Sequence, residues 1–205
     1  MRENNQNIQE KWNKCGAQIM KRFLIFVSAH LFLFLLVIAY QAQAEEEWTI
    51  DQFNSLAYAR VSGEITHGDS LNFFISSEDD CAKIYNNFTF YTYEKPGDIK
   101  QLIDKNIPIK INGVDVTANV VSVSPFLMGY RVSFSLGKFP IKEYMHFLKE
   151  FYDEFQKYEI EIVDGLDFKA AKYFDITTNN WKLDKLVPSV LQANKLCKTL
   201  NDLDS

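Results

Sequence analysis

The chain has 205 residues with 22 basic and 27 acidic side chains, and 47% of its residues are hydrophobic. Once the predicted export segment is set aside, residues 45–205 carry 17 basic and 25 acidic residues, a net charge of −8. This balance argues against nucleic acid and anionic lipid as partners, because phosphate binding depends on clustered lysine and arginine. The remaining length fits one domain.

The first predicted element is a secretory signal peptide at residues 20–44. A positively charged start at Met20-Lys21-Arg22 precedes an apolar run at residues 23–40, and Ala42-Gln43-Ala44 supplies a small-x-small cleavage site. The sequence therefore predicts three parts: a doubtful N-terminal extension at residues 1–19, the signal peptide, and a single exported domain at residues 45–205 that begins after cleavage between Ala44 and Glu45.

A retained membrane anchor is the alternative, since the apolar run of about 18 residues reaches the lower limit for a spanning helix. Against it, no lysine or arginine lies between Tyr40 and Arg60 to act as a stop-transfer flank. We therefore expect a periplasmic or secreted protein with no stable membrane anchor after cleavage.

Two cysteines, Cys81 and Cys197, remain in the exported part. An even number of cysteines in an oxidising compartment favours a disulfide, and two cysteines allow one intramolecular pairing. Two free buried thiols or an intermolecular link are the alternatives. An intramolecular bridge would tie the C-terminal end of the domain to its first half.

Alternation of apolar and polar residues predicts strands at residues 48–53, 56–66 and 71–76, with a turn at His67-Gly68-Asp69. A polar loop that carries Cys81 leads to an aromatic strand at residues 88–94. One face of this strand carries Phe88 and Phe90, and the other carries Thr89, Tyr91 and Tyr93. The simpler interpretation is a central strand covered on both sides. The functional interpretation is a binding surface at Tyr91 and Tyr93, because tyrosine side chains pack well against sugar rings or peptide strands.

The pair Asn112-Gly113 predicts a two-residue hairpin turn. In the register that follows, Ile111 faces Val114 and Ile109 faces Val116, while Lys110 meets Asp115 on the other face. The second strand is predicted to continue to Val123, and the next strand to start after Ser124-Pro125 and to end before residues 138–140.

Helical periodicity predicts an amphipathic helix at residues 141–158, with an apolar arc of about 160° that must lie on a sheet. Two strands at residues 159–163 and 168–176 are predicted to form a hairpin around Asp164-Gly165, followed by a polar turn at residues 177–180. A last helix at residues 184–201 carries an apolar stripe that includes Cys197.

The predicted fold class is α+β, a mainly antiparallel sheet or sandwich of about seven or eight strands with these two helices.

The C-terminal third contains Tyr173-Phe174-Asp175-Ile176, then Trp181-Lys-Leu-Asp-Lys-Leu, then Val190-Leu-Gln-Ala-Asn-Lys-Leu-Cys197. This succession resembles the end of the exported invasion-associated locus B family, whose members look like small secreted β-rich domains that finish with a strand, a polar turn and a short helix. The resemblance covers about the last 40 residues. It implies a periplasmic, non-enzymatic envelope protein.

The residues that could carry chemistry are few, and we predict no cofactor and no metal. His67 with Asp69, or the acidic run Glu78-Asp79-Asp80, could bind a cation, but a surface turn and a solvated loop are the simpler interpretations.

Two function classes stay open. We favour a non-catalytic binding protein whose partner is a protein or glycan of the cell envelope; the alternative is a periplasmic hydrolase using paired carboxylates, Asp164 with Asp167 or Glu159 with Glu161.

Overall fold

A computed structural model describes residues 48–66 and 68–203. In this part of the chain nine antiparallel strands form one sheet that curls into a half-barrel, in the order β1-β2-β3-β4-β7-β6-β5-β8-β9. The α+β prediction is confirmed, with nine strands instead of seven or eight. The strands are β1 Thr49–Phe53, β2 Leu56–Ser62, β3 Ser70–Ser76, β4 Lys83–Thr92, β5 Asn106–Ile111, β6 Val114–Phe126, β7 Gly129–Pro140, β8 Lys157–Ile162 and β9 Thr178–Lys182; the helices are α1 Ile141–Phe155, α2 Ala170–Tyr173 and α3 Leu186–Leu203.

The inner face of the sheet holds the core. Leu71, Phe73 and Ile75 alternate along β3 as predicted, and all three side chains are fully buried. On the neighbouring strands Phe88 stacks on Phe134 with ring centroids 4.7 Å apart. These aromatic contacts join the two halves of the sheet across the central β4-β7 pair.

The hairpin predicted at Asn112-Gly113 is confirmed in every pair. Ile111 pairs with Val114, Ile109 with Val116 and Lys110 with Asp115. Asn112 and Gly113 have φ values of 48° and 82°, as a two-residue turn with two left-handed positions requires. The hairpin therefore presents its apolar side chains on the inner face.

The hairpin predicted around Asp164-Gly165 is wrong. β8 pairs with β9, so residues 177–180, predicted as a turn, lie mostly in a strand. Residues 168–176 contain the short helix α2 instead of a strand, because the carboxylate of Asp164 accepts a hydrogen bond from the Ala170 N–H at 2.9 Å. That contact satisfies a donor at the helix start that has no partner within the helix.

Several predicted boundaries also differ; for example, β2 ends at Ser62 instead of residue 66, and β4 spans Lys83–Thr92 instead of residues 88–94. β6 runs through Pro125 to Phe126, and the turn lies at Leu127-Met128, where Leu127 has a φ of 50°. β7 extends to Pro140, and α1 begins directly after it. α1 ends at Phe155 because Gln156 adopts a left-handed conformation and its N–H bonds the Tyr152 carbonyl. Tyr158, predicted to be the last residue of the helical arc, therefore lies in β8.

The C-terminal helix α3 covers the β1-β2-β3 end of the sheet with the predicted stripe. Leu186, Val190, Ala193 and Cys197 are fully buried. The Sγ atoms of Cys81 and Cys197 lie 2.10 Å apart and their Cα atoms 6.0 Å apart, so the pair lies at a distance compatible with a disulfide bond.

The predicted signal peptide, the cleavage site at Ala44 and Glu45, and His67 lie outside the described residues. Within the described residues, no helix has both the length and the apolar character needed to cross a membrane.

Candidate functional site

The amphipathic helix α1 buries only part of its apolar face. Tyr144 and Leu148 are covered by the rest of the domain, whereas Phe151 and Phe155 are half-buried and Phe147 is 47% exposed. An arc of about 160° is wider than one sheet surface can cover, because flat packing against a sheet uses a narrower stripe of a helix. One side of the helix therefore faces an open space.

The far wall of this space is the tip of the β5-β6 hairpin. Ile109 is fully buried near the base of the hairpin, but towards the tip Val116 is 38% exposed and Val114 is 62% exposed. These side chains belong to the inner face, so they point towards α1 and not towards bulk solvent on the outside of the sheet. The hairpin and the helix together leave a groove between them.

We call this space the apolar groove. It has a volume of about 800 Å³, which lies within the usual range for ligand sites. Leu136 and Phe139 of β7 contribute to it between the two walls. The fourteen lining residues are Ile111, Val114, Val116, Leu136, Phe139, Pro140, Glu143, Tyr144, Phe147, Glu150, Phe151, Glu154, Phe155 and Tyr158.

Aromatic rings run along the helix side of the apolar groove. Phe139 stacks on Tyr144 with centroids 4.4 Å apart, and Tyr144 stacks on Phe147 at 5.5 Å. Further along, Phe151 contacts Phe155 at 4.8 Å and Tyr158 at 5.1 Å. The rings support one another, so the groove surface is formed before any ligand arrives.

The polar groups inside the apolar groove already have partners or lie at its edge. The Tyr144 hydroxyl accepts a hydrogen bond from the Asn86 side-chain amide, and burial raises the pKa of Tyr144 to about 12, so this phenol stays neutral. The charged lining residues are Glu143, Glu150 and Glu154, all exposed on α1. The groove therefore combines apolar walls with one negatively charged rim.

The comparisons with known proteins add no relative. No family model, no curated protein and no solved structure matches the chain. The interpretation of the apolar groove therefore depends on its own geometry.

The two tyrosines predicted as a binding surface have different environments. Tyr91 is only 6% exposed, because it lies against Gly68 and contacts Phe126 edge-on at 5.7 Å. Tyr93 is 54% exposed and meets Tyr91 edge-on at 4.8 Å. Tyr93 alone of the pair presents its ring to solvent.

The carboxylates considered for a hydrolase lie outside the apolar groove. The Asp164 carboxylate accepts hydrogen bonds from the Lys169 ammonium at 2.9 Å and from the Ala170 N–H. These hydrogen bonds lower the pKa of Asp164, whereas a general acid needs a raised pKa. Glu159 and Glu161 are two residues apart on β8, opposite Asn180 and Thr178 of β9, and neither lines the apolar groove.

Asp79, the middle residue of the acidic run considered for cation binding, has structural partners. Asp79 bonds Lys138 and Tyr85 at 2.8 and 2.7 Å, and its pKa is lowered by those hydrogen bonds. Among the side chains of residues 48–66 and 68–200, no three acidic, histidine or cysteine groups lie close enough together to hold a metal ion.

Asp69, from the His67-Gly68-Asp69 turn, is a buried structural link. Its carboxylate accepts hydrogen bonds from the Tyr91 N–H and the Asn179 side-chain amide, both at 2.6 Å, so it joins the β2-β3 turn to β4 and β9. Burial raises its pKa from 3.8 to about 6, although the two donors act in the opposite direction and Asp175 adds a smaller upward effect.

This shift predicts an unusual dependence of stability on pH. The folded state binds a proton at Asp69 more tightly than the unfolded chain does, so the contribution of Asp69 to stability is greatest at low pH and is lost as pH rises through 6. We expect the free energy of unfolding to fall by about 1–2 kcal/mol between pH 5 and pH 7, as measured by urea denaturation.

The control for this measurement is Asp69→Asn, which removes the titration and should abolish the slope between pH 5 and pH 7. Asp79, Asp98 and Asp164 have lowered pKa values, so they affect stability mainly below pH 4 and not in this window. A wild-type stability that rises from pH 5 to pH 7 would contradict the assignment.

Proposed function

We propose that this chain is an exported, non-catalytic binding protein of the cell envelope, periplasmic or secreted, and that its ligand occupies the apolar groove. The observation that carries the proposal is the groove itself, with exposed aromatic and aliphatic side chains on two facing walls. Water-exposed apolar surface of this kind favours association, so in soluble proteins it usually marks a site of interaction.

Sequence features support the proposed location. The signal-peptide pattern at residues 20–44 and the cysteine pair suit an oxidising compartment. The resemblance of the C-terminal third to the invasion-associated locus B family agrees with a non-enzymatic envelope protein. Between a protein and a glycan, the apolar walls favour a protein, because a sugar needs hydrogen-bonding groups where this groove offers carbon.

The test compares two double variants of the exported protein, purified in the form in which the cell releases it. Phe147→Gln with Val114→Thr makes both walls of the apolar groove polar. Leu127→Gln with Met128→Gln is the matched control, because these side chains are 84% and 70% exposed at the β6-β7 turn, outside the groove. All four positions are at least 47% exposed, so both variants should fold.

We expect the fluorescence of Nile red, an uncharged apolar dye, to rise on binding to the wild type and to the Leu127/Met128 variant. The Phe147/Val114 variant should bind the dye at least five-fold more weakly, because each substitution removes apolar contact area. Molecules that co-purify from the cell envelope, identified by mass, should be lost in the same variant. Equal binding by all three proteins would contradict the proposal.

A further inference from the structure

The sheet opens beside the apolar groove. β6 and β7 pair from Asn119 and Ser135 to the turn that joins them. Before Asn119, residues 114–118 of β6 pair with β5, and after Ser135, residues 137–140 of β7 pair with β4. Among the described strands neither stretch has a partner on its other side, and both contribute side chains to the groove. We call the gap between these two stretches the β6-β7 opening.

A β-bulge accounts for the β6-β7 opening. The register between β4 and β7 shifts at Asn86/Asn87 and leaves Leu136 as an extra residue on β7. Gly137 follows it with a φ of 132°, a value that residues with a side chain rarely adopt. A bulge bends its strand and interrupts pairing, and the pairing with β6 stops where this bulge begins. The opening is therefore built into the fold.

The β7 edge of the β6-β7 opening is protected against a further strand. The N–H of Ile141 bonds the Ala82 carbonyl on the β4 side, and neighbouring residues of a strand point their backbone groups in opposite directions. Lys138 and Pro140 therefore turn their backbone groups to the opening, but proline has no N–H to donate. Proline, lysine and bulges are typical of edges that do not accept a partner strand.

The β6 edge of the opening has neither proline nor lysine in residues 114–118. Ile111 and Val114 flank the two-residue turn and bond each other, so the backbone groups of Asp115 and Thr117 point away from β5 and into the opening. Both residues are exposed. On the far side of the hairpin the N–H of Asn112 bonds a β8 carbonyl at 2.9 Å, which holds the tip in place. Two donors and two acceptors are therefore set in a row.

Resting on the function proposed above, we propose that the apolar groove receives an extended segment of a partner protein, which adds to the sheet as a strand antiparallel to residues 114–118. Its backbone bonds Asp115 and Thr117, and every second side chain packs between Val116 and Phe147. In recognition of this kind, main-chain bonds give affinity and pockets for alternate side chains give specificity. A segment of about five residues, roughly 17 Å long, matches the free edge.

The acidic rim indicates the chemistry of the partner segment. Glu143, Glu150 and Glu154 are exposed on α1 and line the groove, so the segment carries lysine or arginine beside its apolar residues. A second copy docked groove to groove would bring two such rims together, and an anionic lipid would place its head group beside the glutamates. Like charges oppose both arrangements. A partner helix would leave the donors and acceptors of β6 unused.

The experiment uses a fluorescein-labelled peptide with five alternating residues, valine-threonine-valine-threonine-valine, and two lysines at each end. Residues that face each other across an antiparallel pair share one face of the sheet. With the valines in the groove, the threonines lie opposite Asp115 and Thr117 and bond them. N-methylation of the two threonine amides should weaken binding at least ten-fold, measured by fluorescence anisotropy with the exported protein. N-methylation of the valine amides should leave affinity within three-fold, and equal effects of the two modifications would overturn the inference.

Two variants at one position test the same bonds from the protein side. Thr117→Pro removes the N–H that faces the opening and leaves the β5-β6 bonds in place, so it should weaken peptide binding at least ten-fold. Thr117→Val is the matched control, because it keeps the N–H and changes only an exposed side chain; affinity should stay within two-fold. Equal affinity of the two variants would contradict pairing with β6. The modified peptides need no variant, so they decide the question even if Thr117→Pro does not fold.

Two triple variants test the charge of the partner segment. Glu143→Gln, Glu150→Gln and Glu154→Gln should weaken peptide binding about five- to ten-fold. The matched control, Glu94→Gln, Asp153→Asn and Glu161→Gln, changes the net charge by the same amount at exposed positions away from the groove, and should leave affinity within two-fold. Equal effects of the two triple variants would overturn the role of the rim, because the attraction would then be non-specific.

The remaining outcomes separate this inference from the proposed function. Nile red binding that depends on Phe147 and Val114, with equal binding of the two N-methylated peptides, overturns the added strand and leaves the binding function standing. Groove-dependent binding of a helical peptide or of anionic lipid vesicles that Thr117→Pro does not affect, or a groove-dependent dimer in sedimentation, likewise overturns the added strand. If neither dye nor peptide binds through the groove, the proposed function fails as well.

Discussion

Replacing both Cys81 and Cys197 with serine is expected to lower the free energy of unfolding by about 4–5 kcal/mol relative to the oxidised protein. The two residues are 116 positions apart, and a link that closes so long a loop restricts the unfolded chain strongly. Far-UV circular dichroism should still show most of the sheet, because Leu186, Val190 and Ala193 continue to bury the helix stripe.

Counting thiols on the denatured, unreduced protein decides whether the link exists. Within residues 45–205 a bonded pair leaves no free thiol, whereas two free thiols would contradict the link. The control is the double serine variant itself in the presence and absence of reductant. Its stability should not change, while that of the wild type should fall on reduction to near the value of the variant.

The β5-β6 hairpin and the helix α3 could be predicted because local signals agreed with one another. At the β5-β6 hairpin, the turn pair Asn112-Gly113, the apolar alternation and the Lys110-Asp115 charge pair all indicate one register, which the structure has. The stripe on α3 was equally consistent, and every predicted member from Leu186 to Cys197 is fully buried. When several independent signals favour one arrangement, the folded state follows them.

The segment between β8 and β9 could not be predicted, because the side chain of Asp164, in the apparent turn, bonds the backbone six residues further along the chain. The sequence of residues 168–176 is compatible with a strand, but the Asp164 carboxylate bonds the Ala170 N–H and starts a helix there. Besides β5, β8 pairs with β9, which runs from Thr178. No periodicity marks residues 178–182 as a strand, since Asn179 is fully buried and bonds Asp69, 110 residues earlier in the chain.

The apolar groove was missed although its helix was predicted. The 160° apolar arc suggested a helix lying flat on a sheet, and the sequence does not say how far a sheet extends under a helix. The available signal was the composition of the boundary of that arc, where Glu143, Glu150 and Glu154 line up beside Phe147. The sequence instead favoured Tyr91 and Tyr93, because tyrosines that alternate along one strand face form a clear local pattern.

Trp181→Ala is expected to lower the free energy of unfolding by about 3–5 kcal/mol, the usual cost of truncating a fully buried large aromatic residue. Trp181 is 0% exposed, and it meets Phe90 edge-on with centroids 6.3 Å apart. Phe90 in turn contacts Phe174 at 6.2 Å. Removing the indole leaves a cavity at the contact between the terminal strand β9 and the central strand β4.

Phe147→Ala is the matched comparison, since it truncates an aromatic side chain that is 47% exposed in the apolar groove. Its loss of stability should stay below about 1 kcal/mol, because a half-exposed ring loses little buried area and leaves no closed cavity. Urea denaturation of both variants at pH 7 measures the difference. Similar losses of stability for the two variants would mean that Phe147 helps to hold the fold, and its exposed ring could then not be assigned to ligand binding. We expect the two losses to differ clearly, because Trp181 closes the core whereas Phe147 lines a groove that the folded chain leaves open.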